Sequence, residues 1–389
     1  MYKSVKFNPE KSGDFHATLK WRASQYFRSR NISEYANGLM IFKTTFLITA
    51  WIATYLLLVF GQPEPVLFYL LWVNLGFFTA FIAVNICHDA IHNAYSSNKK
   101  VNKFLGLIFN LVGANAYVWK ITHNIAHHTF PNIDGHDEDI EQIVSWLRLS
   151  PYQKLKKIHR YQYWYAFLFY GLGSLSWVFI KDYKKFFQKK IGNLNNTRHA
   201  KIEYFNLFFF KAVYYTVFLI IPVVITNFSW WHCVLGFVVS HICEGSFLAI
   251  VFMLAHEVEG LDFPKPDRQG NIRTGWAVHQ LMTTADFARK NSLVNFFCGG
   301  LNFQIEHHLF PRVCHVHYRN LSGIVEMTAK EFNIPYVENK TFLDAVGSHI
   351  RLLKRWGREQ PADALSARTI SFQTPAVHDP LSRVQNIPC

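Results

Sequence analysis

Four long apolar runs organise this chain. The first, over 44–60, ends at the turn signal Gly61-Gln-Pro-Glu-Pro65, and a second follows over 66–87. A third fills 205–228 and a fourth 230–255, again with only a few residues between them. At 1.5 Å per helical residue, each crosses or nearly crosses a hydrocarbon core of about 30 Å. The pattern predicts two helical hairpins with tiny outer loops. Residues 1–42 are polar and basic and read as an arm with short helices. The stretch after Gly357, rich in polar residues, Pro and Ser, reads as a loose tail behind a C-terminal helix. The expected division is an arm at 1–42, a membrane domain at 43–345 and a C-terminal segment at 346–389.

Two more apolar stretches, 104–119 and 161–180, are interrupted by Gly106, Asn110, Gly113 and Asn115, and by Gly171 and Gly173. Each either spans or lies in the interface.

Composition supports lipid exposure. Charged residues make up 17% of the 389 positions, against about 25% in soluble proteins, while hydrophobic residues reach 50% and Phe alone occurs 36 times. The net charge of +14 sits between apolar runs rather than along the chain, which suits a membrane protein and not a nucleic-acid binder. The turns at 61–65 and 226–229 hold no Lys or Arg, whereas 181–201 holds Lys181, Lys184, Lys185, Lys189, Lys190, Arg198 and Lys201. The positive-inside rule then places both termini on the cytoplasmic side. Lys211, near the start of the third run, is expected to snorkel to the interface. The N-terminus has no apolar core of a signal peptide. Six Cys form no CxxC pair and are expected as packed thiols.

The chemistry lies in the 19 histidines. HDAIH sets His88 and His92 one helical turn apart at the end of the second run, on one face. HNIAHH repeats that spacing with His123 and His127 and adds His128, about 100° further round the helix. QIEHH puts Gln304, His307 and His308 on one face. Any one cluster could be a set of hydrogen-bonded interface residues. Three together point to metal. Imidazole suits Fe, Zn, Cu or Ni, and seven His exceed what one tetrahedral zinc takes, so two ions are the economical answer. His256 ends the fourth run at the depth of His88 and is a further candidate ligand; His279, in WAVHQLM, is a weaker one. His136, His159, His199, His315 and His317 fall in polar loops and are expected to be solvated. His232 and His241 lie in the last run and are expected to hydrogen-bond between helices. Gathering all clusters at one site needs an even number of crossings between them. The runs 205–228 and 230–255 supply two, so 104–119 and 161–180 are expected to be interfacial, with Tyr161, Tyr163, Trp164 and Tyr165 as anchors.

In order and membrane pattern, the three clusters resemble the histidine boxes of the membrane fatty acid desaturase family. The flanking text HHTFPNIDGHDEDI and GGLNFQIEHHLFPRVCHVHY is similar too, and the resemblance covers roughly 20–345. The Gln heading the third box is like that of front-end desaturases. The resemblance implies an all-α membrane protein with four transmembrane helices under a cytosolic helical cap holding a non-haem di-iron site. It implies His88, His92, His123, His127, His128, His307 and His308 as catalytic iron ligands, with His256 matching the family His at the end of the fourth span. Trp119 matches a residue expected to pack the acyl chain. Asn124, Asn132, Asp137 and Asp139 match polar positions expected beside the ligands or toward the substrate headgroup. Where the stearoyl type has Asn four residues before the last-span His, this chain has Phe252, which leaves Gln304 or His279 to take that ligand's place. No His-Pro-Gly-Gly haem motif occurs, so a separate donor, ferredoxin or cytochrome b5, is expected.

The expected activity is O2-dependent desaturation of a fatty acyl chain carried on CoA or lipid. No side chain oxidises an unactivated C–H bond, so the protein's part is position. Two rivals remain at this point: a hydroxylase on the same scaffold, and a metal or proton transporter. The transporter predicts histidines inside the spans rather than at their ends.

Overall fold

The computed structural model describes residues 4–8, 13–137, 140 and 146–360. The expected loose tail and Asp139 lie outside these residues. A 17-residue helix, α1 (Gly13–Ser29), forms the arm in place of the short helices expected there. Among the described residues, four helices are long and apolar enough to cross a membrane: α2 (Gly38–Phe60), α3 (Pro65–Ile91), α8 (Lys201–Ile225) and α9 (Trp230–His256). They match the four apolar runs. Asn37 caps α2 by accepting from the Met40 N–H, and Pro65 opens α3 where no amide partner is needed.

The interrupted stretches form bent pairs. α4 (Lys99–Leu111) and α5 (Ala116–His127) meet at 112°, and α6 (Lys157–Gly171) and α7 (Gly173–Phe187) at 56°. The first corner needs glycine: Gly113 has φ +100°, and a Cβ there would lie 2.9 Å from the Tyr214 ring. Trp164, an expected interface anchor, is 81% exposed. The remainder is built from α10 (Trp276–Thr283), α11 (Ser292–Phe297), α12 (Gln304–Leu309), α13 (Tyr318–Glu331) and the C-terminal α14 (Phe342–Trp356). Among the described residues, three two-residue ladders tie loops together, one of them a parallel pair of Lys6–Phe7 with Asn271–Ile272.

α3 and α9 form the inner pair, with 50% and 44% of their apolar windows buried against 22% for both α2 and α8. Small residues let them approach. A Cβ on Gly76 would sit 2.2 Å from the Ser240 carbonyl, and one on Gly236 would meet Trp72. In lipid, close backbone packing is the main attraction between helices. The outer helices turn Ile41, Phe46, Leu56, Phe205, Phe208 and Val224 outward.

Polar residues correct two expectations. Lys211 does not snorkel: it is buried, with Nζ 2.8 Å from Asp182 and donating to the Gly113 carbonyl at 2.7 Å. It thereby joins α8 to α7 and to the corner between α4 and α5. His136, His159, His315 and His317 are buried rather than solvated, because loops that look polar in sequence fold over the ends of the spans. His317 donates to the Tyr35 carbonyl, for example. His199 is half-buried and touches Tyr117 Oη. The expectation for the last span holds: His232 meets Tyr69 Oη at 2.6 Å, and His241 meets Ser174 Oγ and Tyr214 Oη.

Breaking the Lys211–Asp182 pair strands a buried charge, which costs about 3–5 kcal/mol, whereas replacing both partners by apolar residues of similar volume is close to neutral. We expect Lys211→Ala to lower the thermal midpoint in detergent sharply, and Lys211→Met with Asp182→Leu to regain most of the loss.

Candidate metal centre

The histidine clusters reach one place from four parts of the chain. His88 lies in the last turn of α3 and His92 just beyond it; His123 and His127 are on α5, with His128 capping it; His256 ends α9; His307 and His308 are on α12. The backbone widens just before His88 and through His123 and His127, as it also does at 177–181 and 216–220. Residues 83–87 and 120–127 wind with i→i+5 hydrogen bonds, including His128 N–H to the His123 carbonyl at 3.0 Å. Such wide turns recur at functional sites. Here the reason is geometric. On an α-helix, residues five apart point about 140° from each other. The wide turn brings His128 under His123, with their Nε2 atoms 3.2 Å apart.

The ligand atoms of His88, His92, His123 and His307 lie within 4.8 Å of one another, and so do those of His127, His256 and His308. His128 stands between the groups, its ring 4.5 Å from His307 and 4.3 Å from His308. All eight are buried. His88 Nε2, His92 Nε2, His128 Nδ1, His307 Nε2 and His308 Nε2 are buried without a hydrogen-bond partner. Buried imidazole nitrogens left open in this number are unfavourable unless something binds them. Neutral imidazoles converging in two sets suit metal ions, and these residues fit them.

Other groups hold the rings. His127 Nδ1–H donates to Asp137 Oδ1 at 3.0 Å, His308 Nδ1–H to Gln280 Oε1 at 2.7 Å, and His256 Nδ1–H to the Thr283 carbonyl at 3.2 Å. Each bond fixes the proton on Nδ1 and leaves the Nε2 lone pair for the centre. Gln304 Nε2 reaches His256 Nε2 at 2.9 Å, and its Oε1 is buried and open. Gln304 is thus at the centre. His279 belongs to neither group: its Nε2–H donates to the Pro131 carbonyl at 3.0 Å, and its ring lies against Phe7. Asn132 and Asn124 tie loops down, Asn132 through Asp137 and the His256 carbonyl, Asn124 through the Ile91 carbonyl. Trp119 stacks on His123 with centroids 4.0 Å apart.

One network was not expected. Asp89, Cys314 and His315 cluster beside His88. Lys43 Nζ, which can only donate, lies 2.8 Å from His315 Nε2, so that nitrogen accepts and Nδ1–H donates to Asp89 Oδ2 at 2.9 Å. These groups satisfy one another. Asp89 sits inside HDAIH, where a carboxylate between two metal-type histidines was the available signal; Lys43 gave none, because it reads as the edge of an apolar run.

Fold and centre together define a helical membrane protein with a buried polyhistidine site able to hold metal. The model of the fatty acid desaturase family matches residues 64–340. An acyl-lipid (8-3)-desaturase of Physcomitrium patens is 35% identical over 358 residues, covering 91% of this chain and 74% of that protein. The sn-1 linoleoyl-lipid 6-desaturases of Arthrospira platensis and Synechocystis sp. are 33% and 32% identical, covering 92% and 91% of this chain and 97% and 98% of theirs. The chain belongs to the fatty acid desaturase family and is an oxidoreductase.

Groups that orient ligating histidines typically set about 10–100-fold in metal affinity. Asp137→Asn and Gln280→Ala should each weaken metal retention by that order under graded chelation, with the helical content unchanged. Burial, then neighbouring imidazoles, hold His92, His128, His307 and His308 well below the ordinary histidine range. The unfolded chain therefore binds protons that the folded centre refuses, and stability falls as pH drops below about 6.5. Denaturation midpoints measured from pH 8 to pH 5 should fall on the acid side.

Proposed function

We propose that this chain is an O2-dependent acyl-lipid desaturase of the front-end type. The observation that carries the reading is the pair of adjacent histidine groups with His128 between them. His88, His92, His123 and His307 would hold one iron ion and His127, His256 and His308 a second, with His128 between the groups and Gln304 beside His256. Bound iron would activate O2, the oxidant, for attack on an unactivated C–H bond. The acyl-lipid substrate and the front-end position follow the names of the relatives and the Gln304 heading the third box.

The chain's own residues position and exclude. Trp119 closes the apolar side of the centre, with its ring stacked on His123 and packed against Phe109. Phe252 faces His123 from α9, with ring centroids 6.0 Å apart, and takes an apolar role where the stearoyl type has a ligand-side Asn. An acyl chain that reaches the centre beside Trp119 and Phe252 would meet these rings, which would hold one pair of carbons toward the metal and keep water out. Asn124, engaged with the Ile91 carbonyl, links the first two histidine boxes instead of meeting substrate. His279 supports the loop at Pro131. The helices that follow the spans form a cap on the cytoplasmic face, where the basic segments place both termini. Two electrons beyond those of the substrate are needed in each turnover, and a separate one-electron carrier, a ferredoxin or a cytochrome b5, supplies them.

Expression in a host with defined lipids, with double bonds located by mass spectrometry, tests the reading. A new double bond on the carboxyl side of an existing one is expected; a hydroxylated chain would favour the rival activity. Metal analysis should find about two irons per chain, and one zinc without iron would overturn the assignment. His88→Ala, His127→Ala and His308→Ala should each abolish product while the protein still inserts in the membrane. His256→Ala should lose iron, whereas His279→Ala should keep it and lower only stability.

A further inference from the structure

The eight histidines of the centre are buried, so electrons from the donor must enter through other residues. Trp276, the first residue of α10, is half-buried at the surface. Its indole Nε1–H donates to the main-chain carbonyl of His128 at 3.3 Å. His128 is the residue that stands between the two histidine groups. Outside Trp276 the ring of His16, half-buried on α1, lies 5.4 Å away. The path from surface to centre is thus one indole, one hydrogen bond and one residue.

The surroundings of Trp276 are basic. Lys20 lies one turn along α1 from His16, Lys6 heads the strand paired with Asn271–Ile272, and Arg273 follows that strand, with Arg268 in the turn before it. All four are exposed. Among the described residues of α1 and of 267–276 two acids occur, Asp14 and Asp267, and Asp267 is occupied by the Gln269 and Asn271 amides of its turn. Of the other basic segments, Lys154 and Lys157 lie at the start of α6 and Lys181 and Lys184 near the end of α7, and the second has a poorer connection. Lys181 lies over Trp177, from which Phe109 and then Trp119 must be crossed to reach His123. That route is three rings long and runs through the apolar wall.

We propose that a small acidic one-electron carrier protein docks on the face made by α1 and the 268–276 segment, and that its electrons enter through Trp276 and His128. The proposal rests on the desaturase reading and its separate donor. In each turnover a saturated CH2–CH2 pair and O2, with two electrons from two reduced carriers and two protons from water, give CH=CH and two waters. Each carrier is oxidised by one electron, O2 is the final oxidant, and Trp276 bridges without net change. Opposite charge steers such encounters, and the steering weakens with salt.

The test uses the full-length, iron-loaded protein in detergent with reduced plant-type [2Fe–2S] ferredoxin, and in parallel reduced cytochrome b5. Carrier oxidation is followed by stopped flow and affinity is measured separately. Trp276→Phe keeps the ring and removes the N–H. It should slow carrier oxidation several-fold while iron content and the rate of reduction by dithionite stay at wild-type values. Loss of packing alone would instead lower iron content and both rates. Lys20→Glu with Arg273→Glu should weaken carrier affinity by about tenfold and flatten its salt dependence, while Lys154→Glu with Lys157→Glu should leave both unchanged. Wild-type transfer in Trp276→Phe, or affinity loss confined to the Lys154 and Lys157 pair, would overturn the proposal. A wild-type protein that dithionite reduces but neither carrier does would overturn the separate-donor reading together with this face.

Discussion

Everything in this structure depends on holding eight neutral imidazoles together in a buried space. Protonated, they would repel one another; neutral and unbound, they would leave nitrogens without partners. The fold meets the first condition by burial and by fixing protons on Nδ1. It meets the second by aiming the remaining lone pairs into two compact sets. The α3–α9 pair makes this possible. Close packing at Gly76 and Gly236 brings the ends of both helices to the same level, so that His88 and His256 enter neighbouring sets.

Support for the rings comes from elements distant in sequence. A loop carboxylate at Asp137, a side-chain amide at Gln280 and a main-chain carbonyl at Thr283 each receive one Nδ1–H. Three kinds of acceptor do the same job, because what matters is the direction of the lone pair and not the identity of the partner. Gln304 and Trp119 then occupy the positions nearest the rings, one polar and one apolar, and so distinguish the ligand side of the centre from the side suited to hydrocarbon.

Charged residues at the membrane level follow a related logic. Lys211 with Asp182, and Lys43 with His315 and Asp89, are each buried and each joined to an opposite charge or an acceptor. Neither lysine reaches water: each is buried and held by a partner on another element. The first pair fastens the outer helix α8 to the bent helices. The second fastens the start of α2 to Asp89 of the first histidine box through two hydrogen bonds.

The sequence by itself determined the spans and the boxes. Apolar runs of about 20 residues report helices long enough for a bilayer whatever surrounds them, and HDAIH, HNIAHH and QIEHH contain their ligand types at local spacings. It also marked the corners, since Gly113 and the Gly171–Gly173 pair interrupt their runs. Tertiary structure alone decided how the boxes divide into two sets. That division cuts across them, with His123 in one set and His127 in the other, because the wide turn of α5 presents its histidines to two sides. Only the fold could place Gln304 at the centre and His279 away from it, since both are polar residues in apolar surroundings and differ only in what lies opposite. The same is true of His136, His159, His315 and His317, which look like loop residues. A loop's burial depends on what folds over it, and local sequence does not record that.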